Sequence, residues 1–241
     1  MIYDQNLNNE RMKNIVAIIP ARGGSKGIKK KNLLDFCGRP LVEWSIEQAL
    51  QTKQITSVWV SSDLQEILDI AINSKAETIK RPKILSTDTA TAESTWLHAI
   101  GIIEDKIGKV DLVVGLQPTS PLREASDIDN AIKKFKKTKC DSLFSGSEIG
   151  DFYIWQKMKN EISSLNYDYK NRGRRQDFSN QFVENGSIYI FKPELLKKHN
   201  NRLSGKIEVS LMDFWKSFEI DSYDDIELCE TLMKHYILKR I

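Results

Sequence analysis

The sequence lacks the features that mark several large classes of protein. Its three cysteines, Cys37, Cys140 and Cys229, lie far apart and form no CxxC pair, so neither a disulfide framework nor a cysteine-based zinc site is indicated. No apolar run approaches the roughly 20 residues that a membrane-spanning helix needs. Lysine and arginine total 36 against 33 acidic residues, and this near balance argues against a dedicated nucleic-acid-binding protein. We therefore expect a globular protein of the reducing cytoplasm, with neither a membrane nor a nucleic acid as its partner.

The chain divides by composition into a short leader and one long unit. Residues 1–13 are polar and lack the apolar centre of a signal peptide, so we interpret them as a polar leader. Residues 14–241 are enough for a single α/β domain. Within it, residues 151–184 are polar and aromatic, which predicts an excursion from the main sheet rather than a second domain.

Apolar patterning predicts alternating strands and helices in residues 14–241. Runs of consecutive apolar residues predict strands that are covered on both faces, at 14–20, 56–62 and 111–117. Shorter candidate strands are 77–80, 141–146 and 185–191. Stripes at helical spacing fall within 42–50, 67–71, 96–107 and 128–135, and a last helix begins near Tyr223. The alternation predicts right-handed βαβ units and an open, mostly parallel, Rossmann-like α/β sheet, in which ligands bind at the carboxyl ends of the strands.

A glycine-rich and strongly basic segment, ARGGSKGIKKKN, runs from Ala21 to Asn32 directly after the first predicted strand. Backbone N–H groups in such a turn can approach an anion closely, and Arg22, Lys26 and Lys31 add positive charge. The segment matches neither the GxxxxGK[ST] P-loop nor the GxGxxG dinucleotide motif. It is therefore a candidate triphosphate site outside those two classes, with a solvated turn as the alternative.

Five segments, in order along the chain, resemble the motifs of the acylneuraminate cytidylyltransferases, the family of the CMP-sialic acid and CMP-legionaminic acid synthetases. They are IIPARGGSKGIKKKN (18–32), RPKILSTDTAT (81–91), LQPTSPLR (116–123), RRQD…ENGSIYIF (174–191) and FEIDSYDDIE (218–227). The resemblance implies a sheet of the nucleotide-diphospho-sugar transferase type. It implies an enzyme that transfers CMP from CTP to a nine-carbon 2-keto-3-deoxy sugar acid (a nonulosonic acid) and releases pyrophosphate. It also implies a homodimer formed through residues 151–184.

The resemblance assigns the nucleotide mainly to the first two motifs. The implied nucleotide-binding residues are Arg22, Gly23, Gly24, Ser25, Lys26, Asn32, Arg81, Thr89, Ala90, Thr91 and Ala92. The implied catalytic residues are Arg22, Lys26, Lys31 and Asp221, with Lys31 near the departing pyrophosphate. The segment around Thr91 has a second interpretation, because a run of threonines is also typical of a helix N-cap.

The sugar acid is assigned by the same resemblance to Gln117, Arg175, Phe182 and Tyr189. A guanidinium such as that of Arg175 can bind a carboxylate through two parallel hydrogen bonds. Phe182 is explained almost as well by core packing. At Val183 some relatives carry a polar residue, so legionaminic acid, pseudaminic acid and Kdo stay open as alternative substrates.

The acidic motif implies a magnesium ion as cofactor. Glu219 and Asp221 are two residues apart, so in an extended segment both side chains point the same way. Mg²⁺ takes one or two protein carboxylates together with substrate phosphates. The resemblance implies Asp221 as the main ligand and Glu219 as a second one, bound directly or through water, because the family commonly has Asp-Ile-Asp where this chain has the longer Glu in Glu-Ile-Asp.

Two questions stay open in the sequence. Arg123, at the end of LQPTSPLR, either contacts the sugar or pairs with a neighbouring acid. A non-catalytic nucleotide-binding regulator of the same fold is the alternative from a different class. A regulator is disfavoured by the presence of Lys26, Lys31, Gln117, Arg175 and Asp221, because a nucleotide sensor would need no acceptor site.

Overall fold

A seven-stranded, mostly parallel sheet forms the centre of the computed structural model, which describes residues 12–25, 27–150, 152–159, 161–173 and 181–240. The strands are β1 (Ile15–Pro20), β2 (Asp35–Phe36), β3 (Arg39–Pro40), β4 (Ser57–Ser62), β5 (Glu77–Lys80), β6 (Leu112–Leu116), β7 (Ser142–Glu148), β8 (Trp155–Met158), β9 (Glu161–Ser164), β10 (Phe182–Phe191) and β11 (Ile207–Leu211). The helices are α1 (Leu41–Leu50), α2 (Gln65–Asn73), α3 (Ala92–Ile107), α4 (Ala125–Thr138), α5 (Pro193–His199) and α6 (Tyr223–Leu232).

The strand order of the large sheet is β11-β7-β10-β6-β1-β4-β5. Neighbouring strands run parallel except at β10, which is antiparallel to both β6 and β7. The predicted open, mostly parallel α/β sheet is therefore confirmed. The antiparallel β10 carries the chain back between β6 and β7, and it places residues of the fourth motif beside those of the third.

Helices cover both faces of the sheet, as the consecutive apolar runs predict. Along β1, Ile15, Ala17 and Ile19 pack in one core cluster with α1, α2 and α4, whereas Val16 and Ile18 pack in a second cluster with α3. Two residues of the predicted stripes differ from their neighbours: Leu50 and Ile107, each in the last turn of its helix, are 44% and 41% exposed. The final turn of each helix extends past the edge of the core.

Of the helices and strands that were not predicted, three features lie in the second half of the chain. These are helix α5, edge strand β11 and the hairpin β8–β9, which forms a separate two-stranded sheet. All three elements are short, and α5 has only seven residues, so apolar periodicity has little length over which to appear.

A third core cluster joins the basic loop to the C-terminal region. Ile28 and Phe36 pack there with Ile220, Cys229 and Met233. This packing brings residues near 30 and near 220 to the same place. Among the described residues, none of the helices has the length and apolar character needed to cross a bilayer, and the three cysteines are free.

Candidate active site

A cleft of about 670 Å³ opens where β1 and β6 end at their carboxyl termini. This is the edge of the sheet at which the strand alternation predicts a ligand. Eleven of the residues singled out from the sequence line it: Arg22, Ser25, Lys31, Asn32, Arg81, Ala90, Thr91, Ala92, Gln117, Glu219 and Asp221. Four of the five motifs therefore meet at one cavity.

The first turn of the basic loop is held by close contacts with neighbouring loops. The Gly23 N–H donates to Asp63 Oδ1 at 2.9 Å. A Cβ atom on Gly23 would lie only 2.8 Å from that of Leu64, so this position needs glycine. Arg22 Nη1 donates to Asp88 Oδ1 at 3.1 Å, which ties the loop to the second motif.

Lys31 carries its charge into the cleft and meets the acidic motif. Its Nζ donates to Asp221 Oδ1 at 2.7 Å and to the Ile220 carbonyl at 2.8 Å. The preceding Lys30 has a positive φ of 52° and pairs instead with Glu66. This left-handed turn separates the two lysines, so that only Lys31 lines the cleft.

Gly27 explains how the loop comes so near to the acidic motif. A Cβ atom at this position would lie 2.4 Å from the Asp221 carbonyl oxygen, so no side chain fits there. The absence of a Cβ atom therefore lets the basic loop pack directly on the backbone that carries Asp221.

The second motif supplies a buried arginine at the other end of the cleft. Arg81 is 5% exposed, and its Nη2 donates to the Ser61 carbonyl at 2.6 Å. Burial lowers the pKa of Arg81 to about 10, which still leaves it charged at neutral pH. Among the described residues, its Nε and the Asn32 Oδ1 are buried side-chain atoms without a hydrogen-bond partner.

The segment around Thr91 both caps a helix and lines the cleft, which are the two interpretations that its sequence allows. Thr91 is the N-cap of α3, because its side chain accepts a hydrogen bond from the Ser94 N–H at 3.1 Å. Thr91, Ala90 and Ala92 also line the cleft, whereas Thr89 is not among the lining residues. The start of α3 is therefore both a helix cap and a wall of the cavity.

The two acidic side chains lie together and fit a magnesium ion. Burial and the neighbouring Asp221 carboxylate raise the pKa of Glu219. Thr119 Oγ1 donates to Glu219 Oε2 at 3.4 Å. On the other side Gly186, at φ +65°, leaves room for the carboxylate. A Cβ atom at position 186 would lie only 2.1 Å from Glu219 Oε1. No group of three or more metal-binding side chains occurs in the described parts of the chain. A hard cation would therefore take these two carboxylates and complete its shell with phosphate and water oxygens.

The structure resolves the question about Arg123, which does not line the cleft. Its side chain is 1% exposed and donates to the carbonyls of Gln117, Ser120 and Ser187 at 2.9, 2.9 and 3.0 Å, and also to the Ser45 and Ser187 hydroxyls. Burial lowers the pKa of Arg123 to about 9. Arg123 supports the loop that presents Gln117 and joins it to β10.

The remaining predicted residues lie away from the cleft lining or outside the described residues. Gly23 and Gly24 shape the loop without lining the cavity. Phe182 is 38% exposed on β10. Tyr189 is 3% exposed and packs on Trp96, with 5.9 Å between the ring centroids. Lys26 and Arg175 lie outside the described residues.

Several further residues line the cleft that were not predicted from the sequence. They are Gly27, Thr87, Asp88, Thr95, Trp96, Pro118 and Thr119. Most belong to motifs already quoted, so their neighbours were the available signal. Trp96 is different, because its place in an apolar helical stripe predicts a core residue. It is in fact 1% exposed and still reaches the cavity.

The parallel strands, the cleft at their carboxyl ends and the combination of cations with two carboxylates define a nucleotide-binding α/β protein. The family to which it belongs follows from a profile match. The cytidylyltransferase profile matches residues 16–238, and the chain belongs to that family. The resemblance carried by the five motifs is thereby confirmed.

Curated relatives agree with this membership. The chain is 33% identical over 192 residues to N-acylneuraminate cytidylyltransferase A of Danio rerio, covering 78% of this chain but 44% of that protein. It is 31% identical over 230 residues to the pseudaminic acid cytidylyltransferase of Campylobacter jejuni, covering 92% and 97%. The chain thus spans less than half the length of the Danio protein and of a similar Oncorhynchus mykiss one.

Solved structures share the fold. CMP:2-keto-3-deoxy-manno-octonic acid synthetase complexed with CTP matches with a TM-score of 0.69 and 16% identity, covering 93% of this chain and 100% of that one. The 4-diphosphocytidyl-2C-methyl-D-erythritol synthase of Anaerococcus prevotii matches with a TM-score of 0.67 and 13% identity, covering 93% and 100%. At these identities the likeness supports the fold alone.

Proposed function

We propose that the protein is a Mg²⁺-dependent cytidylyltransferase that transfers CMP from CTP to a sialic-acid-type nine-carbon sugar acid and releases pyrophosphate. One observation carries the proposal: the basic loop, Arg81, Gln117 and the two carboxylates of the acidic motif line a single cleft. Relatives named for N-acylneuraminate and for pseudaminic acid support the sugar class. We place the reaction in the cytoplasm, where three free cysteines stay reduced.

The reaction needs little covalent chemistry from the protein. The anomeric hydroxyl of the sugar acid attacks the α-phosphorus of CTP and loses its proton, while the bond from that phosphorus to pyrophosphate breaks. Catalysis then rests on positioning and on neutralising phosphate charge. Arg22 and Ser25, which line the cleft, would bind the triphosphate, and Lys31 would contact the departing pyrophosphate.

Asp221 and Glu219 would hold the magnesium ion. When bound, the ion supplies further neutralisation of the triphosphate charge. Lys31 now pairs with Asp221, so the two carboxylates and one ammonium form a compact charge cluster at the cleft. A triphosphate with a bound divalent cation complements this cluster, because the phosphates can pair with the ammonium and the cation with the two carboxylates.

The sugar acid would occupy the part of the cleft next to Gln117. Arg175, Phe182 and Tyr189 remain assigned to it by family resemblance. Legionaminic acid, pseudaminic acid and Kdo are the alternative acceptors. Pyrophosphate release from CTP and Mg²⁺, measured with each sugar acid in turn, tests the proposal. We expect release with a nine-carbon acid; CTP binding without release from any sugar acid would instead support a regulator.

We propose that the protein forms a homodimer through the hairpin β8–β9. The hairpin exposes Trp155, Met158 and Ile162 by 46%, 61% and 64%, and a second copy of the chain would cover this apolar surface. Sedimentation velocity at micromolar concentration should show about twice the 27.7 kDa of one chain. Ile162→Glu is expected to give monomers. Ile72→Glu, at a similarly exposed isoleucine of α2, is the matched control and should leave the dimer intact. A wild-type monomer would reject the proposal.

A further inference from the structure

Arg202 lies behind one wall of the cleft, in the loop between α5 and β11. Its Cζ is 4.3 Å from the ring centroid of Tyr189 and 5.3 Å from that of Trp96. The guanidinium therefore rests against two aromatic rings that also touch each other. Of these two rings, Trp96 lines the cavity, so Arg202 supports a lining residue without lining the cavity itself.

The guanidinium of Arg202 also forms a charged hydrogen bond with the start of α3. Arg202 Nη1 lies 2.5 Å from Glu93 Oε1, and both side chains are largely buried. Glu93 follows Ala92 directly, in the first turn of the helix whose cap residues line the cleft. One side chain thus fixes Trp96 and Tyr189, which we call the aromatic wall, relative to the start of α3.

The aromatic wall packs on the strand that leads to Gln117, and we call this the acceptor side of the cleft. Tyr189 pairs with Gly115 of β6, and a Cβ atom on Gly115 would lie 2.9 Å from the Trp96 ring. Strand β6 ends at Leu116, and the next residue is Gln117. Both rings therefore pack against the strand that presents Gln117, the residue proposed to reach the sugar acid.

The loop that carries Arg202 is held independently of that side chain. Ser142 Oγ donates to the Ser204 carbonyl at 2.8 Å and accepts from the Ser204 N–H at 3.0 Å. Gly205, at φ +67°, packs closely on Asp141. Leu203 packs on the second core cluster. Replacing Arg202 should therefore remove its contacts without displacing the loop.

The hydroxyl of Tyr189 is already engaged on the other side. It donates to Glu184 Oε1. Burial and this hydrogen bond raise the pKa of Tyr189 to about 12, so the hydroxyl stays protonated at neutral pH. Glu184 thus fixes one end of the ring, and Arg202 lies over its face.

We propose that Arg202 is a positioning residue that sets the sugar-acid selectivity of the cleft, by holding Trp96, Tyr189 and the start of α3 in one fixed arrangement. The proposal rests on the proposed function. The residue belongs to none of the five motifs, so a difference here could alter acceptor choice while the motifs stay the same.

The test compares Arg202→Met with Lys197→Met. Lys197 also links the α5 region to α3, through Glu104 at 2.5 Å, but within the described residues it makes no cation–π contact with either ring. Pyrophosphate release is measured with two nine-carbon sugar acids. For Arg202→Met we expect the KM for the preferred acid to rise about tenfold and the preference between the two acids to fall, because a loosened wall discriminates less. The KM for CTP should rise by a smaller factor than the KM for the sugar acid, since the start of α3 also carries Thr91 and Ala92, which are assigned to the nucleotide. Lys197→Met should match the wild type.

Arg202→Lys keeps a charge for Glu93 but loses the planar group that stacks on the rings, so it should recover part of the sugar-acid KM. Circular dichroism and thermal melting check folding, and Arg202→Lys decides the question if Arg202→Met does not fold. An unchanged sugar-acid KM and preference would overturn the inference, as would equal rises in both KM values, which indicate a general structural role. Wild-type protein that releases no pyrophosphate from any sugar acid would instead reject the proposed function, and this inference with it.

Discussion

The two sides of the cleft are built in different ways. The nucleotide side comes from loops that follow parallel strands, and these loops bond to one another: Arg22 to Asp88, Asn32 to the Arg22 carbonyl, and Arg81 to the Ser61 carbonyl. The acceptor side combines the loop after β6 with the antiparallel strand β10, whose ladder shifts register between Glu184 and Tyr189.

The difference separates what local sequence determines from what distant packing determines. On the nucleotide side, a strand followed by a glycine-rich basic loop brings cations to the sheet edge, and this pattern is read from consecutive residues although Arg22 and Lys31 pair with the distant Asp88 and Asp221. On the acceptor side, each wall needs partners from far along the chain, such as Glu93 with Arg202, 109 residues apart. We therefore expect substitutions on the nucleotide side to abolish turnover, and substitutions on the acceptor side to change selectivity or stability.

The largest effect is expected on the nucleotide side, at Lys31. Lys31→Ala removes the ammonium that the proposed reaction uses beside the pyrophosphate, so kcat should fall on the order of 10²–10³-fold. Lys30→Ala is the control, because Lys30 pairs with the exposed Glu66. Steady-state pyrophosphate release measures kcat for both variants and for the wild type. If the two variants lose activity equally, the cationic loop acts only through its total charge.

Asp221→Asn should have the next largest effect, since Asp221 lies where the two sides meet. The variant loses the proposed metal ligand and the partner of Lys31. We expect kcat to fall about 100-fold and the Mg²⁺ concentration for half-maximal rate to rise. Asp224→Asn, at an exposed acid in the first turn of α6, should behave as wild type. A Mg²⁺ titration that Asp221→Asn leaves unchanged would remove Asp221 from the metal site.

Arg123→Leu tests the support beneath the acceptor side. It deprives buried carbonyls and hydroxyls of their donor, so the free energy of unfolding should fall by roughly 2 kcal/mol. Urea denaturation measures the loss. CTP binding by calorimetry should be retained, because Arg123 does not line the cleft. Arg123→Lys keeps the charge without the forked donors, so its free energy of unfolding should lie between those of the wild type and Arg123→Leu. Weakened CTP binding in a folded Arg123→Leu variant would show that the two sides are coupled.

The smallest expected effect is the pH dependence contributed by Glu219. Burial, and then Asp221, raise the pKa of this carboxyl, so its ionised form destabilises the folded state above that pKa. The penalty disappears as the pH falls below the pKa of the unfolded chain. Without Mg²⁺, Glu219→Gln should therefore raise Tm at pH 7, and the gain should vanish by about pH 4.

Added Mg²⁺ should reverse the sign of this difference, because it would bind the wild-type carboxylate more tightly. Glu227→Gln, at an exposed acid of α6, is the control and should show neither effect. A Glu219→Gln variant that melts with the wild type at every pH would mean that Glu219 has no unfavourable interaction in the folded state.

Local patterns predicted the parts of the fold that depend on local chemistry. The apolar run at β1 and the glycine-rich loop after it are both read from a few consecutive residues, and the structure has them where expected. Trp96 and Arg123 could not be placed in this way. A tryptophan in an apolar stripe predicts core, and only the opposing Gly115 lets it extend to the cavity. For Arg123, the partners are backbone carbonyls and hydroxyls, which leave no mark in sequence.

The contact between Gly27 and the Asp221 backbone has a consequence for the order of folding. Lys31 and Asp221 are 190 residues apart, so their pairing closes most of the chain into one loop. Contacts of such separation form late, because chain entropy must be lost before they contribute. During synthesis the parallel strands β1, β4, β5 and β6 can already be in place while residues near 221 are still inside the ribosome. The cleft would then acquire its carboxylates last, and the capacity for turnover would appear only after the segment near residue 221 had joined the rest of the cleft.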